Sequence, residues 1–376
     1  MEVIKTDCGL CINCCGVNAY VEDGKLVKVE GTPEHWLNKG KLCPKGERLV
    51  DLLYSPARLK YPMKRVGERG SGKWQRISWD QAINEVGDKM LEIREQSGPD
   101  SVYWLGSAKH NNEQAYLFRK FAAFWGTNNV DHQARICHST TVAGVANTWG
   151  YGAMTNSYND IHNSKAILII GGNPAEAHPV SLQHIFRATE RNNAPLIVID
   201  PRFTRTAAHA DLYMRLRPGT DVPVVWGMLW HIFENGWEDK EFIRERVYGM
   251  DQIRAEVAKW TPEEVERVSG VPEEQVKRVA QIMATHKPGT FIWCMGGTQH
   301  TIGNNNTRAY CAFQLALGNM GVAGGGVNAL RGESNVQGST DMAVLYHIIP
   351  ASLFGIISGF WVVPHPVYEG GPCDEE

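Results

Sequence analysis

The sequence predicts an α/β protein: a small cysteine-rich N-terminal domain followed by doubly wound, mostly parallel α/β domains. Three observations carry this. The apolar runs Ser101–Leu105, Ala166–Ile170, Leu196–Ile199 and Thr290–Cys294 are short and uninterrupted, as parallel strands buried on both faces should be. Helical stretches such as Pro179–Asn192 and Asp221–Asn235 lie between them, and such alternation predicts right-handed crossovers with ligands at the carboxyl ends of the strands. Residues 1–62 break that pattern, being turn-rich and holding five of the nine cysteines.

In chain order, Ala19–Glu22 and Lys25–Glu30 flank Asp23-Gly24, a pair that accepts the positive φ angles of a tight hairpin turn. Ser78 is placed to cap a helix over Asp80–Gln96, whose apolar stripe is Ala82, Ile83, Val86, Met90, Leu91 and Ile93. Pro262–Val268 and Pro272–Thr285 form a capped helical pair. Ile348–Val363 is mostly apolar, but Pro350, Gly355 and Gly359 interrupt it and it falls short of the roughly 20 residues that span a bilayer. It is expected to be buried or interfacial, so no membrane span is predicted.

The chain is 43% hydrophobic and 21% charged with a net charge of −3, which points away from nucleic acid and anionic membrane surfaces. No basic, apolar or twin-arginine leader precedes Cys8, so the expected location is cytoplasmic. Cysteines in that reducing compartment favour metal binding or catalysis over disulfides.

Cys8, Cys11 and Cys15, closed by the distant Cys43 of Cys43-Pro-Lys-Gly46, can wrap one inorganic centre. On spacing alone, four such thiolates suit a [4Fe–4S] cluster or a zinc ion. Cys14 is read as a bystander beside Cys15. In Gln133–Gly144, Cys137 and His138 stand side by side: a thiolate suits a high-valent metal, and an imidazole can move protons near neutral pH. Gly171–Pro179 follows a strand and opens a helix, where free amides favour an anion. Asp200-Pro-Arg202 ends the next strand, where an acidic residue commonly takes a sugar hydroxyl or base edge, although G-x-G-x-x-G is absent.

Gln133–Gly144, with Gly152-Ala-Met-Thr-Asn156 after it, resembles the active-site segment of formate dehydrogenases in the molybdopterin oxidoreductase family. The resemblance extends in order through Cys8–Cys15, Cys43–Gly46, Gly106–Lys109, Gly171–Pro179, Asp200–Ala210 and Arg331–Gly338, fading after His347. It implies a [4Fe–4S] domain over residues 1–62 and the first part of a discontinuous α/β domain over 63–130. Residues 131–333 would form an α/β domain that binds one pterin guanine dinucleotide, and 334–376 a truncated return segment. Molybdopterin guanine dinucleotide, in a bis arrangement, would hold molybdenum or tungsten, with Cys137 as a metal ligand. Cys8, Cys11, Cys15 and Cys43 would hold the cluster.

By the same resemblance, Lys45 lies on the electron path between pterin and cluster. Gly172, Asn173, Glu176, Asp200, Arg202, Gly219, Asp221, Met295, Gly296 and Gln299 line the cofactor pocket. Arg331 would hold formate, since a guanidinium pairs bidentately with a carboxylate, and His138 would manage protons or fix the substrate. The reaction implied is two-electron oxidation of formate to carbon dioxide. The alternatives are a formyl-methanofuran dehydrogenase-like subunit, a cysteine-ligated nitrate reductase, or a non-catalytic electron-transfer subunit of a larger redox complex. The partners implied are a second chain supplying the missing C-terminal cofactor domain, and iron–sulfur or flavin electron-transfer subunits.

Overall fold

A computed structural model describes residues 1–150 and 152–345, so the apolar segment Ile348–Val363 lies outside the described residues. The chain divides into two compact units, Met1–Glu47 with Arg135–Ser334, and Arg48–Ala134 with the residues from Asn335 on.

The first unit opens with three antiparallel strands, β1 (Glu2–Asp7), β2 (Gly16–Glu22) and β3 (Lys25–Gly31), in the order β1-β2-β3. Asp23 and Gly24 have φ of 49° and 73°, the two positive angles a type I′ turn needs, so the hairpin forms where the dipeptide predicts it. Cys8, Cys11, Cys14 and Cys15 occupy the β1–β2 connection, which the Cys8 amide closes by donating to the Cys15 carbonyl at 2.8 Å. Cys43 follows β3 and leads into the helical turn Pro44–Glu47.

The same unit contains a parallel five-stranded sheet of β4 (Ala166–Ile170), β5 (Leu196–Ile199), β6 (Leu212–Met214), β7 (Gly289–Trp293) and β8 (Val327–Ala329). Its order is β6-β5-β4-β7-β8, and every neighbouring pair is parallel. Every residue of β4, β5 and β7 is buried, which is why these runs are apolar without alternation. Val224 and Met228 of the helix Asp221–Glu234, Val276 and Val279 of Glu273–Thr285, and Tyr310 and Phe313 of Gly303–Ala316 share one core with Leu168, Ile197 and Phe291. Each such side chain contributes about 1.5–3 kcal/mol by leaving water. The order reverses between β4 and β7, so the crevice at their carboxyl ends is the topological switch point.

Two elements differ from the sequence expectation. The strand expected over Ser101–Leu105 is the shorter Trp104–Gly106, because Gly98 (φ 79°) and Pro99 turn the chain and Pro99–Ser101 forms a 3₁₀ turn first. The helix expected to open within Gly171–Pro179 is only Pro174–Ala177, and a break at His178 separates it from Leu182–Asn192. The amides of that turn are already engaged, Ala175 donating to Thr206 Oγ1 at 3.1 Å and Glu176 and Ala177 to the Asn173 carbonyl at 3.1 and 3.0 Å.

In the second unit, Ser78 Oγ accepts from the Gln81 amide at 3.1 Å and caps Trp79–Ser97 as its sequence predicts. The stripe of that helix is nevertheless open, with Ile83 63%, Val86 59% and Leu91 57% exposed. Trp104–Gly106 pairs in parallel with Val130–His132, and a small core of Ala115, Ala122, Val130 and Val344 forms around Trp104 and Phe118. Among the described residues, no helix is long and apolar enough to cross a membrane.

Candidate active site

Cys137 ends the short helix Ala134–Cys137, and His138 follows it before the helix Ser139–Trp149. Both are buried, as is Arg331, which comes just after β8. The Cys137 carbonyl accepts from Thr298 Oγ1 at 2.7 Å, and the Ile136 carbonyl from Gln299 Nε2 at 2.6 Å. The segment after β7 therefore pins the main chain on which the thiol is carried.

Burial raises the Cys137 thiol pKa, opposed by the Gly332 N–H on its sulfur and by the Arg331 guanidinium. Those two groups favour a thiolate in a site that otherwise penalises charge, as a metal ligand requires. Arg331 Nη2 donates to the Gly152 carbonyl at 2.6 Å, and its own carbonyl oxygen lies 2.7 Å from His178 Nε2. His138 Nδ1 meets Thr141 Oγ1 at 2.8 Å, and Trp293 Nε1 donates to that hydroxyl at 2.9 Å. Burial, then Arg331 and His178, push His138 down to about 3, so its imidazole is neutral in this pocket and titrates far below neutral pH. His138 Nε2, His178 Nδ1 and the Tyr158 hydroxyl are buried without a hydrogen-bond partner among the described residues. A polar group entering the pocket would satisfy atoms that are otherwise costly to bury.

The N-terminal thiols fit an inorganic centre in a different way. Cys8 and Cys15 are buried, and Cys15 is pushed up to about 12 by burial and then by Cys11, Cys8 and Cys43. Cys11 is raised by burial and by Cys8 and Cys43, against the Asn13 amide and, less strongly, Lys45. Burial and their mutual repulsion favour the neutral thiols, and a cationic centre bound among them would reverse that. Among the described residues, no three His, Cys, Asp or Glu side chains are gathered as a single metal ion would need. Lys45 Nζ donates to the Glu176 carbonyl at 3.1 Å, between the thiols and the loop that carries His178.

At the switch point, Gly171 (φ 58°) and Gly296 touch backbone to backbone, the Gly296 amide donating to the Gly171 carbonyl at 3.0 Å. A cavity of about 180 Å³ opens there, lined by Asp200, Asp221, Gly171, Gly296, Leu216 and His300 among others. Burial raises both carboxyls, against the Arg202 amide on Asp200 and the Tyr310 hydroxyl 3.0 Å from Asp221. Two such acceptors suit the N–H edge of a base.

The other nominated residues serve in different ways. Gly172 backs onto Cys294, whose sulfur would lie 3.0 Å from a Cβ there. Asn173 Oδ1 accepts from Thr206 Oγ1 at 2.8 Å, and the Glu176 carboxylate pairs with Arg205 at 3.3 Å. Arg202, Gly219 and Met295 are exposed. Sequence reasoning passed over Tyr158, His178 and Cys294, whose positions become meaningful only once β4, β7 and β8 converge.

The molybdopterin oxidoreductase family model matches residues 58–357, and the model for the molybdopterin oxidoreductase Fe4S4 domain matches residues 1–55. The chain belongs to the molybdopterin oxidoreductase family. Its cofactors are accordingly a [4Fe–4S] cluster, which decides between cluster and zinc, and molybdopterin with molybdenum or tungsten. The chain is 37% identical to the formate dehydrogenase-O major subunit of Escherichia coli, over 91% of this chain and 40% of that protein. It is 38% identical to the F420-dependent formate dehydrogenase 1 subunit alpha of Methanococcus maripaludis, over 93% of this chain and 51% of that protein. The acetylene hydratase structure from Pelobacter acetylenicus superposes with a TM-score of 0.75 at 28% identity, covering 86% of this chain and 44% of that one. The chain thus spans about half the length of the curated relatives it matches, or less.

Proposed function

We propose that this chain carries the cluster and metal-ligand half of a formate dehydrogenase catalytic subunit. The supporting observation is that Arg331, far along the chain from the adjacent Cys137 and His138, is buried with them and acts electrostatically on both. Arg331 pairs with the formate carboxylate and orients its C–H bond, His138 offers a neutral imidazole beside it, and the buried walls exclude water. When bound, the molybdenum or tungsten centre and its pterin supply a two-electron acceptor, so formate yields carbon dioxide, one proton and two electrons.

Cys137 is the protein's ligand to the metal, and Cys8, Cys11, Cys15 and Cys43 hold the cluster. Lys45 lies on the electron path between them. Asp200, Asp221, Gly296 and their neighbours hold one guanine dinucleotide end at the switch point, and a second such cofactor completes a bis arrangement. The remaining cofactor domain lies outside this sequence, iron–sulfur or flavin subunits take the electrons, and the assembly works in the cytoplasm.

The test is formate-dependent viologen reduction by the natively purified, oxygen-protected assembly, compared with its Cys137→Ser variant. Activity that vanishes in the variant supports the reaction and the ligand together. Absence of activity in metal-loaded material containing the partner chain refutes formate oxidation and leaves formyl transfer or electron conduction.

A further inference from the structure

Residues 331–334 touch both redox sites of the first unit. The Gly332 carbonyl accepts from the Ile12 amide at 3.0 Å, and the Gly332 N–H is among the groups that favour the Cys137 thiolate. Ile12 directly follows Cys11. Two residues further on, the Ser334 carbonyl accepts from the Cys14 thiol at 3.3 Å. Cys14 takes up a left-handed backbone conformation (φ 43°), which disfavours any side chain, and its amide donates to the Cys11 carbonyl at 3.1 Å. A glycine would adopt that turn without strain, so what the side chain adds is the contact to Ser334 and a longer one, 3.7 Å, to the Cys11 carbonyl within its own loop.

We propose that Cys14 is a positioning residue, clamping the cluster loop onto residues 331–334 and so holding the Gly332 N–H on the Cys137 sulfur. This rests on the assignment of Cys8, Cys11, Cys15 and Cys43 to the cluster and of Cys137 to the metal. A hydrogen bond to a ligating sulfur withdraws electron density from it and raises the potential of the bound metal. The clamp therefore sets the metal's potential and, through the adjoining Arg331, the pose of the carboxylate.

The test compares Cys14→Ser, Cys14→Ala and Cys14→Gly in the natively purified assembly, by metal analysis, EPR-monitored redox titration and formate kinetics. All three should retain iron and the pterin metal. In Cys14→Ala and Cys14→Gly the midpoint potential of the metal centre should fall and the formate KM should rise several-fold. Cys14→Ser, which keeps a donor, should stay near the parent. The shift should appear in Cys14→Gly although its turn is unstrained, which separates the contact from backbone strain. Unchanged potential and KM in both Cys14→Ala and Cys14→Gly would overturn the clamp and leave the ligand assignment standing. Loss of iron in all three, serine included, would make Cys14 a cluster ligand and overturn both.

Discussion

His178 Nε2 lies 2.7 Å from the main-chain oxygen of Arg331, so a buried imidazole anchors the backbone from which the guanidinium extends. A carbonyl only accepts, so Nε2 carries the hydrogen and Nδ1 is left bare and buried, without a partner among the described residues. His178→Ala should raise the formate KM about tenfold, in line with a lost buried hydrogen bond, with a smaller change in kcat. Arg331→Ala should raise it further. Steady-state kinetics on metal-loaded enzyme separates the two, and an unchanged KM in His178→Ala would dismiss the anchor.

Cys137→Ser should leave the iron content and the cluster's EPR signal intact while abolishing formate oxidation. The cluster thiols and Cys137 sit on different segments, the β1–β2 and post-β3 connections and the residues before Ser139–Trp149. Loss of iron together with activity would mean that the two centres do not load independently.

Gly296→Ala should lower thermal stability by about 1–3 kcal/mol, as overpacking does. A Cβ at that position would stand 2.6 Å from the Gly171 carbonyl oxygen, and neither backbone can retreat without parting β4 from β7. The same variant should bind less pterin, measured as the oxidised fluorescent derivative after denaturation. Full pterin content would detach this crevice from the cofactor.

Stability should decline as the pH falls from about 6.5 to about 4. Burial pushes His231, on the helix Asp221–Glu234, down to about 4. The unfolded chain protonates this imidazole near pH 6.5 and the folded chain does not, so between the two values the unfolded state binds more protons and is favoured. Above 6.5 the contribution is flat. His231→Gln should flatten part of the slope in urea titrations across this range, and an unaltered slope would assign the acid sensitivity elsewhere.

The open stripe on Trp79–Ser97 should be covered by a partner. Native mass spectrometry of the purified assembly should give a mass above the 41.9 kDa of this chain. Ile83→Asp, at a position 63% exposed in the chain alone, should weaken recovery of the partner without altering cluster iron. A homogeneous, metal-free monomer would contradict the partner.

The parallel sheet was legible because β4, β5 and β7 are buried on both faces and so read as plain apolar runs. The hairpin and the Ser78 cap were legible because turn and cap chemistry is local. Edge strands β6 and β8 have three residues each and leave little pattern to find. The four N-terminal thiols announced themselves by spacing, whereas Cys294 and Tyr158 did not. Their meaning depends on neighbours that only the sheet order brings near, and Tyr158 looks in sequence like any tyrosine on a polar loop. His138 was legible as a residue but not as a titrating group, since its depressed pKa comes from burial that no local motif encodes.

The pairing of β4 with β7 joins Ala166 to Gly289 across a long stretch of intervening chain. Closing so large a loop is entropically slow and comes after local hairpins and helices have formed. The hairpin can form while β7 is still being sought, but the cluster loop leans on Gly332 and Ser334, beyond β8, and the Gly171–Gly296 crevice cannot exist before β7 docks. Maturation would then run in a fixed sequence, with pterin insertion delayed until the sheet has closed. The cofactor would thereby sample only chains that have already passed their hardest folding step.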